Sequence, residues 1–251
     1  MTFDDPLFWT ALLKIIGVNI VLSGDNAVVI ALAARSLQGR QQKQAIIWGS
    51  AAAIVMRVIL TLFAVALLDL LWLKLIGSVL LLWIGVKLLI PEDEGPDIKA
   101  SDNLFAAIRT ILIADLVMSL DNVIAVAAAA GGSTTLLILG LAISIPLVIF
   151  GATVLLKLME RWPIIITIGA GLLGFVAGEM AWEDQAIAAF TSQYPAMMKY
   201  VIAIIGAAFV VLLGRYFAHK SLGKSATEHL EHMGAHRETD SAALERKDQA
   251  R

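Results

Sequence analysis

The chain has 251 residues, of which 59% are hydrophobic and 16% charged, with a net charge of −2 and a mean hydropathy of +0.82. Soluble domains keep about 25% charged residues, so this surface is too apolar for water, and no basic field points to a nucleic-acid partner. The absence of cysteine excludes disulfides, thiolate metal ligands and covalent haem attachment.

Apolar runs of helical length follow one another at residues 7–34, 45–70, 71–90, 104–130, 135–158, 163–181 and 197–217. Each comes close to the ~20 residues that cross a bilayer core, and none alternates like a barrel strand. The expected fold class is all-α: a polytopic membrane domain of about seven transmembrane helices over residues 1–222. A charged tail follows over 223–251, too poor in apolar residues to fold. In the first run, Ala31-Leu32-Ala33 resembles a signal-peptidase site. A cleaved leader needs a basic start, however, whereas this one carries Asp4 and Asp5, and Asp25-Asn26 interrupts its apolar stretch. The run is read as a retained span. The second and third runs abut, so a hairpin turn is expected within Asp69–Lys74.

Orientation follows from Lys and Arg. One side of the bilayer receives Arg35, Arg40, Lys43, Lys99, Arg109, Lys157, Arg161, Arg215, Lys220 and Lys224; the other receives only Lys14, Lys74 and Lys199. The positive-inside rule places the N-terminus outside and the C-terminus in the cytoplasm.

The first and fourth spans repeat each other. Asn19, Ser23, Asp25 and Asn26 recur at one spacing as Asp115, Ser119, Asp121 and Asn122. Neighbouring spans agree more loosely: Gly49, Ala51 and Ile54 align with Gly140, Ala142 and Ile145, and Gly77, Leu80, Leu81 and Trp83 with Gly169, Leu172, Leu173 and Phe175. Repeat one therefore covers about 7–90 and repeat two about 104–181, with one further helix at 197–217. Three spans per repeat is an odd number, so the second copy enters the bilayer upside down. Inverted repeats place a shared site near the midplane.

An ionised carboxylate at the bilayer centre costs ~2.5–3.5 kcal/mol or more and normally faces a bundle interior. Two such groups repel each other unless a cation lies between them. Carboxylate, amide carbonyl and hydroxyl oxygens are the ligands that suit Mg²⁺, Ca²⁺ and Mn²⁺. Asp25, Asn26, Asp121 and Asn122 are the candidate metal ligands, and Asn19, Ser23, Asp115 and Ser119 are expected to line the same cavity. The competing reading is that these groups only hydrogen-bond helices together. Met118 shares the helix side of Asp121 and Asn122, where a thioether would favour a softer ion such as Mn²⁺, although methionine there also serves as packing. Arg57 stands too deep in its span to snorkel; its expected partner is Asp25 or Asp121, as a metal-free counter-ion or a fixed ion pair. Lys14, Lys87 and Lys157 lie near span ends and are read as snorkelling, and Glu179 as solvating a helix end. Gly24 would permit a break in the first span, which its counterpart Leu120 does not suggest in the fourth. His219, His229, His232 and His236 all lie at or beyond the end of the last span, so the membrane offers no imidazole for Zn²⁺ or Cu²⁺.

The two segments around Asp25-Asn26 and Asp121-Asn122 resemble the signatures of the TerC family, in its short YjbE/YkoY-type branch within the LysE-like transporter superfamily. The resemblance covers roughly 7–217 and rests on two motif copies. It implies Mn²⁺ export across a bacterial cytoplasmic membrane, with Asp25, Asn26, Asp121 and Asn122 at the family's motif positions; Met118 and Arg57 are not part of that pattern.

The expected function is thus Mn²⁺ efflux by alternating access, with no enzymatic activity and no prosthetic group. The expected partners are the lipid bilayer, the divalent ion and protons as a counter-ion, with no nucleic acid. The alternatives are a membrane factor that delivers metal to exported enzymes, a passive channel, and an intramembrane aspartyl protease. The protease signature Gly-x-Gly-Asp is met here only by Leu22-Ser23-Gly24-Asp25, and the second aspartate follows Leu120.

Overall fold

The computed structural model describes residues 6–21, 24–63, 70–90, 100–130 and 133–221, and every regular element among them is helical. In chain order these are α1 (Pro6–Val21), α2 (Gly24–Ala34), α3 (Gly39–Leu62), α4 (Leu73–Leu89), α5 (Ala100–Ala130), α6 (Thr134–Arg161) and α7 (Ile164–Trp182). A 3₁₀ turn (Gln185–Ile187) and a single helical turn (Ala188–Thr191) then lead to α8 (Met198–Ser221). Helices suit these sequences because a bilayer offers the backbone no other hydrogen-bond partner. Among the described residues five helices are long and apolar enough to cross a membrane: α3, the 103–120 stretch of α5, α6, α7 and α8. α1 and α2 flank Leu22 and Ser23, which lie outside the described residues, as does the tail beyond Ser221.

Helix ends depart from the apolar runs where polar residues are good helix formers. α3 starts at Gly39 rather than 45, because Arg40 to Gln44 sustain a helical turn without being apolar. It also stops at Leu62 rather than 70, capped by Phe63. Residues 64–69 lie outside the described residues, so only the Leu70–Trp72 end of the expected hairpin is seen. Trp72 there has φ 70°, in the left-handed region. It supplies no side-chain cap to α4. The cap comes from a distant loop: Asp184 accepts the amides of Trp72 (3.3 Å) and Leu75 (2.9 Å) through its two oxygens. It also accepts Ala186 N–H at 2.7 Å. Beside it, Glu183 takes Lys74 and Lys199, and Glu179 takes Lys199 at 3.3 Å, so Glu179 ties α7 to α8 rather than merely solvating a terminus.

α3 packs on α5, α4 on α7, and both α1 and α2 on α6. Glycines set the closest approaches, as expected where helices meet within a membrane. A Cβ on Gly49 of α3 would lie 2.7 Å from Ile111 Cδ1 of α5, and one on Gly140 of α6 would strike Ile15 of α1. Gly174 and Gly178 of α7 likewise meet Gly206 and Ala203 of α8.

The buried apolar residues form two principal clusters. One joins α2, α4, α5, α6 and α7 through Leu32, Leu81, Ile111, Leu156 and Leu173. The other joins α1, α6 and the far end of α5 through Ile15, Leu141 and Val126. On α3 and α6, where the side chains between them are described, the two clusters are separated by the buried Ser50 and Ser144. α2 is buried almost all round, from Asn26 to Ala34 except for a half-buried Val28, so its motif end starts inside the bundle.

Candidate functional site

Three polar side chains meet where α3 packs on α5. Arg57 of α3 donates through Nη2 to Asp115 Oδ1 at 2.5 Å and through Nε to Ser119 Oγ at 3.0 Å, and Ser119 donates to Asp115 Oδ2 at 3.3 Å. The triangle is buried: Arg57 is 4% exposed, Asp115 6% and Ser119 0%. Burying a charge is tolerable only when it is paired and hydrogen-bonded, and this arrangement meets both conditions.

The geometry explains why Arg57 meets Asp115. Gly49 of α3 sits on Ile111 of α5, and Arg57 and Asp115 both follow in the same direction, so the two helices run parallel here. Arg57 lies eight residues beyond its anchor and Asp115 four. Helical side chains lean back toward the N-terminus, and a long guanidinium closes that difference of about one turn. Of the two expected partners, Asp121 has its side chain outside the described residues. Asp25 is half-buried in the first turn of α2, with Oδ1 accepting Asn26 N–H at 2.9 Å. It lies within electrostatic reach of both Arg57 and Asp115. Asn26 beside it is buried.

The remaining expected residues divide by what is described. Met118 is buried and belongs to the first apolar cluster, directly before Ser119. Asn19, Asp121 and Asn122 lie in helices, but their side chains are outside the description, and Ser23 lies outside it altogether. Among the described residues no three His, Cys, Asp or Glu side chains gather as a ready-made metal cluster. The described part of the site offers two carboxylates, Asp25 and Asp115, with an amide and a hydroxyl.

The family model described as "Integral membrane protein TerC family" matches residues 4–222. The chain belongs to the TerC family. It is 43% identical over 207 residues to the uncharacterized membrane protein YjbE of Bacillus subtilis (strain 168), covering 82% of this chain and 94% of that protein. It is also 26% identical over 226 residues to the uncharacterized membrane protein YceF of the same organism, covering 86% and 85% of the two chains. To the uncharacterized membrane protein YkoY it is 27% identical over 192 residues, covering 68% of this chain and 59% of that one. No solved structure matches. The TerC match spans every described helix.

Two buried polar residues of this TerC protein escaped the sequence pattern. Ser50 of α3 is buried, and its Oγ has no hydrogen-bond partner among the described residues. Ser144 of α6 is fully buried and donates to the Gly140 carbonyl at 2.8 Å. Both fall between the two apolar clusters on their own helices. An isolated serine within an apolar run carries little signal; its two-turn spacing to Arg57 was the available hint for Ser50.

Proposed function

We propose that this TerC-family protein exports Mn²⁺ across a bacterial cytoplasmic membrane by alternating access. The carrying observation is that two copies of one Asp-Asn motif stand on α2 and α5, helices that pack against each other. The protein has seven spans, arranged as two inverted three-helix repeats and a last helix, N-terminus outside. It falls in the short branch of the family and the LysE-like superfamily. The pairing of helices supports the repeat: exchanging the halves converts α3 on α5 into α6 on the first span, and the Gly49–Ile111 contact into Gly140–Ile15.

Asp25 and Asp121 are the central ligands, with Asn26 and Asn122 supplying amide oxygens, while Asn19, Ser23, Ser119 and Met118 line the path. Asp115 contributes a third carboxylate and Arg57 one compensating cation, which leaves a formal charge of −2 for a divalent ion to neutralise. No prosthetic group and no chemical reaction is involved. Protonation of a carboxylate returns the empty carrier.

The test is uptake by purified protein in liposomes with a Mn²⁺, Mg²⁺, Ca²⁺ and Zn²⁺ panel. Saturable flux that prefers Mn²⁺ is expected. No flux, or flux that rises without saturating, contradicts a carrier.

A further inference from the structure

An open cavity of about 540 Å³ runs between α4 and α8, lined by Val79, Trp83 and Val86 on one side and Phe209, Leu213 and Phe217 on the other. Lys87 also lines it, one turn before Ile90. Its Nζ lies 5.7 Å from the Trp83 ring centroid, and no carboxylate among the described residues forms an ion pair with it. Lys87 also borders a second, smaller recess, whose polar lining comes from Arg35, Ser36 and Thr110. No described acidic side chain lines either space.

The dimensions are those of one lipid leaflet. From Val79 to Ile90 the groove follows α4 and its cap over twelve residues, a rise of about 16 Å at 1.5 Å per residue, or half of a ~30 Å hydrocarbon core. The lysine is therefore placed where an acyl chain ends and a headgroup begins. Basic residues at that level attract anionic lipids, and the adjoining Ser36 hydroxyl is suited to a phosphate oxygen, while the Thr110 hydroxyl donates to the Ala106 carbonyl at 2.9 Å. A second copy of the chain fits less well, because a twofold interface sets the same patch against itself and would enclose two Lys87 side chains with no described carboxylate lining the groove to pair them.

We propose that the α4–α8 groove is a binding site for an anionic phospholipid, one acyl chain lying along Trp83 and Phe209 and the headgroup phosphate held by Lys87. This site is separate from the cation centre and does not depend on what that centre carries.

Trp83 reports on it directly. In nanodiscs containing equal amounts of phosphatidylglycerol and phosphatidylcholine, one lipid at a time is brominated, and the Trp83 signal is isolated by subtracting Trp83→Phe protein. Brominated phosphatidylglycerol should quench Trp83 with an apparent local enrichment of about fivefold over brominated phosphatidylcholine. Lys87→Gln should erase that preference and Lys87→Arg should retain it. Raising the salt concentration on unmodified protein should weaken it, which covers the case of an unstable Lys87 variant. Equal quenching by both lipids in unmodified protein overturns the proposal. So does a Trp83 reached by neither lipid, which would mean that another copy of the chain covers the groove.

Discussion

The two copies of the repeat agree where backbones approach and differ where charge is placed. Gly49 on Ile111 in one interface has its counterpart in Gly140 on Ile15 in the other. Two turns further along α3, and one along α5, the correspondence ends. Arg57 aligns with Val148, and Asp115 with Asn19, so the α3–α5 interface holds a buried ion pair where the matching positions of the other interface are neutral. Close packing tolerates no drift, since one added methyl group meets an atom at contact distance. A charge can be gained or lost if its partner changes with it, as Arg57 and Asp115 have done together relative to Val148 and Asn19. The polar positions thus include a symmetric element, the two Asp-Asn pairs, and an asymmetric one.

Breaking the symmetric element should have the largest effect. Asp25→Asn or Asp121→Asn removes a negative charge with little change in shape, and each should lower Mn²⁺ flux by more than the ~10–100-fold typical of residues that only support a metal ligand. The double variant should add little, because residues acting as one unit are not additive. Flux assays in liposomes, with folding checked by size exclusion, measure this.

The asymmetric element is tested by stability. Arg57→Val leaves Asp115 buried without its cation, which should cost about 3–5 kcal/mol. Combining it with Asp115→Asn makes this interface match the other at both positions, and much of that loss should return. Thermal unfolding of the two variants in detergent measures the difference; equal destabilisation would mean that Asp115 does not depend on Arg57.

How much of this could be read from the sequence depends on the range of the interaction. The motif copies, the apolar runs and the small residues at helix crossings are local or periodic, and most helices fall within a few residues of their runs. Arg57 was recognisable as too deep for solvent, but its pairing with Asp115 depends on the register of α3 against α5, and nothing in the spacing of either helix encodes that register. Asp184 is the clearer case. Its role as cap of α4 spans more than a hundred residues, and in sequence it looks like an ordinary loop aspartate. Ser50 and Ser144 were hidden because a single hydroxyl in an apolar helix is common.

The close-packed element can be sharpened atom by atom. Gly49→Ala and Gly140→Ala should each cost about 1–3 kcal/mol by overpacking. Ile111→Val removes the nearest clashing atom, Cδ1, and should recover part of the first loss. At Gly140 the clashing atom is Ile15 Cγ2, which valine retains, so Ile15→Val should recover little. Equal rescue in both pairs would contradict the packing described here.

The smallest effect is expected at the loop cluster. Glu183 is partly desolvated, which works against its charge, but hydrogen bonding to Lys199 and the charges of Lys74 and Lys199 hold its carboxyl below the ordinary 4.5. A depressed carboxylate stabilises the fold above its unfolded value and loses that contribution as the pH falls through the folded one. Acid should therefore loosen the α4–α7–α8 corner only below about pH 4.5, and Lys199→Ala should move that loss to higher pH. Because these groups are substantially exposed, the change should be small. Hydrogen exchange of the 183–187 amides across pH reports it.

The central claim, that both repeats contribute a carboxylate to one divalent-ion site, is tested most directly by counting bound Mn²⁺. Electron paramagnetic resonance follows the loss of the free-ion signal as purified protein is added. The account predicts one tightly held ion per chain in the unmodified protein and none in either Asp25→Asn or Asp121→Asn. One tightly held ion per chain in either variant would contradict it.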